Sequence, residues 1–181
     1  VRSNVFQLLD LVSVVTGGRN SAFAKQAELF FFERNQDIAS IYILSENSNS
    51  TQNDSDIRII NNQFFISNEL DTNCLDSFIS SINTEITRSC VGEIIAINAS
   101  PYFGIPVISL LFPYKESGRD QTCIITFSIE SISEILGTNS INTTFIINDS
   151  DDLLYHPDTS KILNGENLKN NELIKAMRLN N

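Results

Sequence analysis

The 181 residues predict an α+β fold in which a long N-terminal helix packs on a mainly antiparallel sheet of five to six strands. Three observations carry this. Apolar residues recur at three-and-four spacing through Asn4 to Asn35. Short apolar runs separated by polar, turn-forming residues follow. Between Asn98 and Asp158 two strand-like runs, a short helical patch and a further strand occur in succession. A periodicity of 3.6 and one of 2 mark helix and strand respectively, and strands that follow one another through short connections pair antiparallel.

In chain order, Val5, Leu8, Leu9, Val12 and Val15, then Phe23, Ala27, Phe30 and Phe31, form the apolar stripe of the first helix. Gly17-Gly18 makes it either two helices or one with a weak point, since each glycine costs about 1 kcal/mol relative to Ala. The stripe predicts burial of both Phe30 and Phe31. Ile41 to Leu44 is a buried strand, and the polar run Ser45 to Asp56 is a loop with nothing to pack. Ile57 to Ile66 returns to strand character, with a bend or tight hairpin at Asn61-Asn62, because Asn tolerates positive φ. Leu75, Phe78, Ile79, Ile82 and Ile86 give Asp71 to Arg88 one buried helical face. Glu93 to Asn98, Ile105 to Tyr114 and Thr122 to Ile129 are strands, Ser131 to Leu136 is a short helix, and a strand ending in Leu154-Tyr155 follows the turn Asn148 to Asp152. Leu173, Ile174 and Met177 place a last helix near the C-terminus.

Composition narrows function. A chain of this length supports one domain with a real core, and 41% hydrophobic residues with 12 Phe speak for a packed globule. A net charge of −10 and a pI near 4.4 oppose nucleic acid and anionic lipid surfaces as partners. His156 is the only histidine, and no Ser or Cys stands in a nucleophile-elbow context, so an enzyme is not expected and a hydrolase ranks behind the alternatives below. Cys74, Cys90 and Cys123 are an odd count. Cys123 alternates with Ile125 in an apolar strand and reads as a buried small hydrophobe, whereas Cys74 and Cys90 flank a helix and their pairing is left open. The spacing suits no zinc site, and no metal or cofactor is expected. The chain starts at Val1 and its only methionine is Met177, which implies a processed product or an excised piece.

Several segments together carry a family likeness. In residues 98–114 a Pro-Tyr pair, Pro101-Tyr102, precedes the strand Ile105 to Tyr114; Ser128 to Leu136 is a strand-to-helix junction; Ile146 to Pro157 is a final hairpin ending in His156-Pro157. Phe32 to Ile38 before the first strand, and Gly165 to Leu168 with Leu173 to Met177 at the end, fit the same order. The arrangement resembles a Cache domain, the PAS-like extracytoplasmic sensor module of bacterial transmembrane receptors. Two departures stand out. The glycine of the last turn is Asp151, and the amino-acid-binding box of Tyr, Arg and Trp has no counterpart, as the chain contains no Trp.

The resemblance implies one sensor domain over 1–181, with an N-terminal helix at 1–36, a PAS-like core at 37–158 and a C-terminal tail and helix at 159–181. It implies a small-molecule ligand, a homodimer through the N-terminal helix, membrane attachment only through flanking segments, an extracytoplasmic location, and output through a nucleotide cyclase, histidine kinase or chemoreceptor. It points to Tyr102, Ser109 and Tyr114, on or near the Pro101 to Tyr114 strand, as ligand contacts. To these Asp149 is added, from the acidic turn it forms with Asp151 and Asp152. That turn lacks the glycine and the terminal glutamate of a calcium loop. The alternative is a secreted or surface interaction domain of α+β type in which the same strands serve only as core.

Overall fold

The computed structural model describes residues 22–45, 56–116, 118–137 and 144–179. Within them the fold is α+β. Five antiparallel strands, β1 (Ile38–Ser45), β2 (Ile57–Ile60), β3 (Ile95–Asn98), β4 (Val107–Glu116) and β5 (Arg119–Ser128), form one sheet in the order β2-β1-β5-β4-β3. A separate hairpin pairs β6 (Ile146–Ile147) with β7 (Leu153–Tyr155). Helix α1 (Ala22–Arg34) precedes β1. Four helices lie between β2 and β4: α2 (Asn62–Ser67), α3 (Asn73–Ser81), α4 (Asn83–Cys90) and, after β3, α5 (Ser100–Phe103). Then α6 (Glu130–Gly137) follows β5, and α7 (Thr159–Leu163) and α8 (Glu172–Leu179) follow β7.

Strand alternation divides the core in two. On one face Tyr42, Leu44, Val107, Leu111 and Ile124 meet a continuous layer from α2 to α5, including Phe64, Phe65, Leu75, Phe78 and Phe103. The aromatic rings interlock edge to face, Phe64 with Phe65 at 5.7 Å and Phe78 with Phe103 at 6.3 Å between centroids. The opposite face carries two separate clusters. In one, Phe31 and Phe32 of α1 seat on Ile41, Ile43, Ile57, Ile59 and Cys123. In the other, Ile108 of β4 joins Ile129, Leu153, Leu154, Tyr155 and Ile162.

Three expectations are corrected. Phe31 is 7% exposed but Phe30 is 56% exposed. Successive helical residues are 100° apart, and of the expected stripe Phe23, Ala27, Phe30 and Phe31 it is Ala27 and Phe31 that pack on the sheet cluster, joined by Phe32, while Phe23 and Phe30 stay exposed. The strand expected to reach Ile66 stops at Ile60, and Asn61 opens a helix instead of a hairpin. Its Oδ1 accepts the Phe64 backbone N–H while its Nδ2 donates to the Ile38 carbonyl at 2.8 Å, so one side chain caps α2 and ties it to β1. The helix from Asp71 to Arg88 breaks at Ile82 (φ −108°, ψ 25°) into α3 and α4, yet Leu75, Phe78, Ile79, Ile82 and Ile86 remain buried on one side as the periodicity requires. The helix expected upstream of Ala22, its expected weak point at Gly17-Gly18, and most of the segment expected as a loop from Ser45 to Asp56 lie outside the described residues.

Asp151, in the turn position held by glycine in the resembled hairpin, has φ 64°, a left-handed conformation that Asp adopts more readily than most residues. None of the three cysteines is in a disulfide. Cys123 is buried, as its alternation in the strand predicts, and burial pushes its thiol up to about 12. Among the described residues no helix is long and apolar enough to cross a membrane.

Candidate functional site

The segment between β3 and β4 is built locally. Asn98 accepts the Ser100 N–H on its own side chain, Pro101 starts the short helix α5, and Gly104 ends it at φ 70°, where a side chain would be strained. The Ser100 hydroxyl both donates to the Val107 carbonyl and accepts the Val107 N–H, each at 3.0 Å, which fixes α5 at the mouth of β4. This puts Tyr102 at the rim of the helical layer. Its ring meets Phe78 edge-on at 5.6 Å, and 43% of the residue stays exposed. Gly165, after α7, closes on the same corner; a Cβ there would lie 3.3 Å from Pro101 Cγ.

Ser109 belongs to the helical face of the sheet, between Val107 and Leu111. It is fully buried, and its hydroxyl bonds that of Thr126 on β5 at 2.7 Å. Thr126 is in turn the register partner of Ser40 on β1. Directly opposed residues of antiparallel strands project to the same face, so Ser40, Thr126 and Ser109 form a row of hydroxyls across the three central strands. A register shift between Ile38 and Ser40 inserts Ala39 as an extra residue, so that Ala39 faces the helical layer and Ser40 follows it there. The Ser40 Oγ is buried and has no hydrogen-bond partner among the described residues. A buried hydroxyl left unpaired costs about 1–3 kcal/mol, and among the described residues Ser40 Oγ is the buried side-chain polar atom in that state.

The other two expected site residues lie elsewhere. Tyr114 is five positions beyond Ser109 on β4 and so projects to the opposite face, beside the α1 cluster. Asp149 is exposed in the β6–β7 turn, where its carbonyl accepts a bond from Arg178 at 3.2 Å. The carboxylates of Asp151 and Asp152 in this turn are met by the chain's own donors. Asp151 takes the Arg178 guanidinium at 2.7 Å, and Asp152 takes the side-chain amides of Asn148 and Asn167. Among the described residues no group of three or more His, Cys, Asp or Glu converges as a metal site would. His156 has a structural part: its Nδ1 accepts the Asp158 N–H, and Asp158 caps α7 through Ser160. The bonds from Ser160 hold the Asp158 carboxyl below the usual range.

Tyr102 and Ser109 therefore belong to one layer, and Tyr114 and Asp149 to two others. Ser40 and Thr126 were not singled out from the sequence. The signal for them is a small polar residue inside an apolar strand run, Ile38-Ala-Ser-Ile and Ile124-Ile-Thr-Phe, but only register shows that the two meet. Comparison with known proteins finds no family model that matches the chain and no curated protein that matches it.

Proposed function

We propose that the chain is a Cache-type sensor domain of a bacterial transmembrane receptor, binding a small molecule between the sheet and the helices α2 to α5. The observation that carries this reading is the buried hydroxyl row, whose Ser40 Oγ has no partner among the described residues and would gain one from a ligand that reached it. Two features are in keeping with it: the helices α2 to α4 inserted after the second strand, and the antiparallel order β2-β1-β5-β4-β3, which is compatible with a PAS-like sheet. Tyr102 at the rim and Ser109 on the floor are the ligand contacts kept from the sequence; Ser40 and Thr126 join them. The domain acts outside the cytoplasm, without catalysis, and passes a shift of its terminal helices to a nucleotide cyclase, histidine kinase or chemoreceptor output. It pairs with a second copy through its N-terminal helix, a role that suits the exposed Phe23, Leu29 and Phe30 of α1.

The test is a thermal-shift screen of metabolites, in which a ligand at a hundred times its dissociation constant stabilises by about 2.7 kcal/mol. The shift should shrink in Ser40→Ala, Ser109→Ala and Tyr102→Ala. A hit whose shift survives all three places the pocket elsewhere. A second reading, the interaction domain without a pocket, is favoured by the filling of the helical layer with Phe64, Phe65, Phe78 and Phe103; it takes over if no metabolite binds.

A further inference from the structure

The buried residues of the two clusters on the opposite face form separate groups, which adjoin only at partly buried side chains such as the register partners Ile38 and Phe127. Ile38 and Ile125 pack with the α1 cluster, Phe127 and Ile132 with the α6 and β7 cluster, and these four side chains form the floor of a cleft of about 600 Å³ at the seam. Its volume falls in the range of small-molecule sites. Its wall is the last turn of α1 and the connection into β1, with Glu33, Arg34 and Asp37 on the rim and Ser131 of α6 across from them. Asp37 Oδ2 accepts the Ser131 hydroxyl at 2.6 Å, and the Asp37 carbonyl accepts the Ser128 N–H at 2.8 Å, so the rim is anchored on both sides of the cleft.

We infer that this cleft binds a small amphiphilic organic cation, an ammonium group on an apolar body, at a site separate from the hydroxyl row on the other face. Three observations select that chemistry. The apolar floor accepts a hydrocarbon or aromatic body. The rim carries two carboxylates against one guanidinium, and it lies at the C-terminal end of a 13-residue helix, where the backbone dipole favours positive charge. The whole chain, at −10, draws cations and repels anions. In the bound state the ammonium group lies between Glu33 and Asp37, whose Oδ2 keeps the Ser131 bond, and the body covers Ile38, Phe127 and Ile132.

The test titrates the protein with three probes of one skeleton, 2-phenylethylamine, 2-phenylethanol and 3-phenylpropionate, followed by amide chemical shifts. The amine should bind most tightly, with shifts centred on Asn35, Asp37, Ser128 and Ile132, the alcohol more weakly and the carboxylate least. Glu33→Gln, which removes a charge from an exposed side chain without touching the core, should weaken the amine by about two- to fivefold and leave the alcohol unchanged. Arg34→Ala should tighten the amine. Asp37→Asn should weaken it further, and Ser131→Ala separates loss of the Asp37–Ser131 bond from loss of charge. Equal affinity for all three probes, shifts centred outside the cleft, or amine binding indifferent to both Glu33→Gln and Arg34→Ala would overturn the assignment.

Discussion

The two faces of the sheet solve the same burial problem differently. The helical face is closed by one continuous layer of four helices, three of which, α2, α3 and α5, interlock their aromatic rings over the central strands. The opposite face is closed in two patches by elements far apart in sequence, α1 on one side and α6, α7 and the β6–β7 hairpin on the other, with a cleft at their seam. Continuity brings close packing and a high cost for each lost side chain, and it makes one unpaired hydroxyl conspicuous. Division leaves room and a polar rim. One face therefore holds a buried polar defect and the other an open cleft.

The largest effect that tests this contrast is truncation of phenylalanines. Phe78→Ala, at a fully buried ring packed against Tyr102 and Phe103, should cost about 3–5 kcal/mol in denaturant unfolding. Phe31→Ala should cost less, because its patch is smaller and lies at an edge, and Phe30→Ala, on an exposed ring, should stay within about 0.5 kcal/mol. Equal costs for Phe31 and Phe78 would erase the distinction between the faces.

Alkaline pH probes both faces by titration. Burial pushes Tyr42, on the helical face, up to about 12, with Arg58 partly offsetting it. Burial alone does the same to Cys123 on the opposite face. Both groups are neutral when protonated (thiol and phenol), and their raised values mean that the folded state favours the protonated form. Their contribution to stability is whole below the unfolded values, about 9 for the thiol and about 10 for the phenol, and is lost as pH rises toward 12. Unfolding followed by circular dichroism should show this alkaline loss reduced in Tyr42→Phe and in Cys123→Ser measured against their own neutral-pH stability. An unchanged profile in Tyr42→Phe would mean that the phenol reaches water.

Next in size is the link between β1 and the helical layer. Asn61→Ala removes a helix cap and the bond to the Ile38 carbonyl, and should cost about 1–3 kcal/mol. Asn61→Asp keeps the cap and loses the Nδ2 donor, so it should recover part of that loss. The smallest effect is the most diagnostic for the hydroxyl row. Ser109→Ala should destabilise the ligand-free protein by about 1 kcal/mol, because Thr126 loses its partner, whereas Ser40→Ala should be neutral or stabilising by up to about 1 kcal/mol. A loss of more than 1 kcal/mol from Ser40→Ala, measured by denaturant unfolding, would show that its hydroxyl has a partner after all.

Local signals of the sequence were sufficient for several of the elements. The alternation in Ile105 to Tyr114 and Thr122 to Ile129, the helical spacing of Leu75 to Ile86, the short helix after Ser128 and the left-handed tolerance of Asp151 are all expressed within a few residues, and each stands in the fold close to where periodicity put it. Where two local readings competed, tertiary contacts decided. Asn61 could bend a hairpin or cap a helix, and the Ile38 carbonyl and the burial of Phe64 and Phe65 selected the cap. Phe30 and Phe31 were equivalent as apolar residues, and which of them is buried depended on the angle at which α1 meets the sheet. The candidate sites were less legible still. Ser40 is far in sequence from Ser109 and Thr126, and the three meet only through strand register, after one extra residue at Ala39 has set the side to which Ser40 points. Ile38, Ile125, Phe127 and Ile132 line a cleft only because the buried residues of two clusters form separate groups. Periodicity determines which side of an element is apolar; which apolar sides meet, and what is left between them, is set by packing over the whole chain.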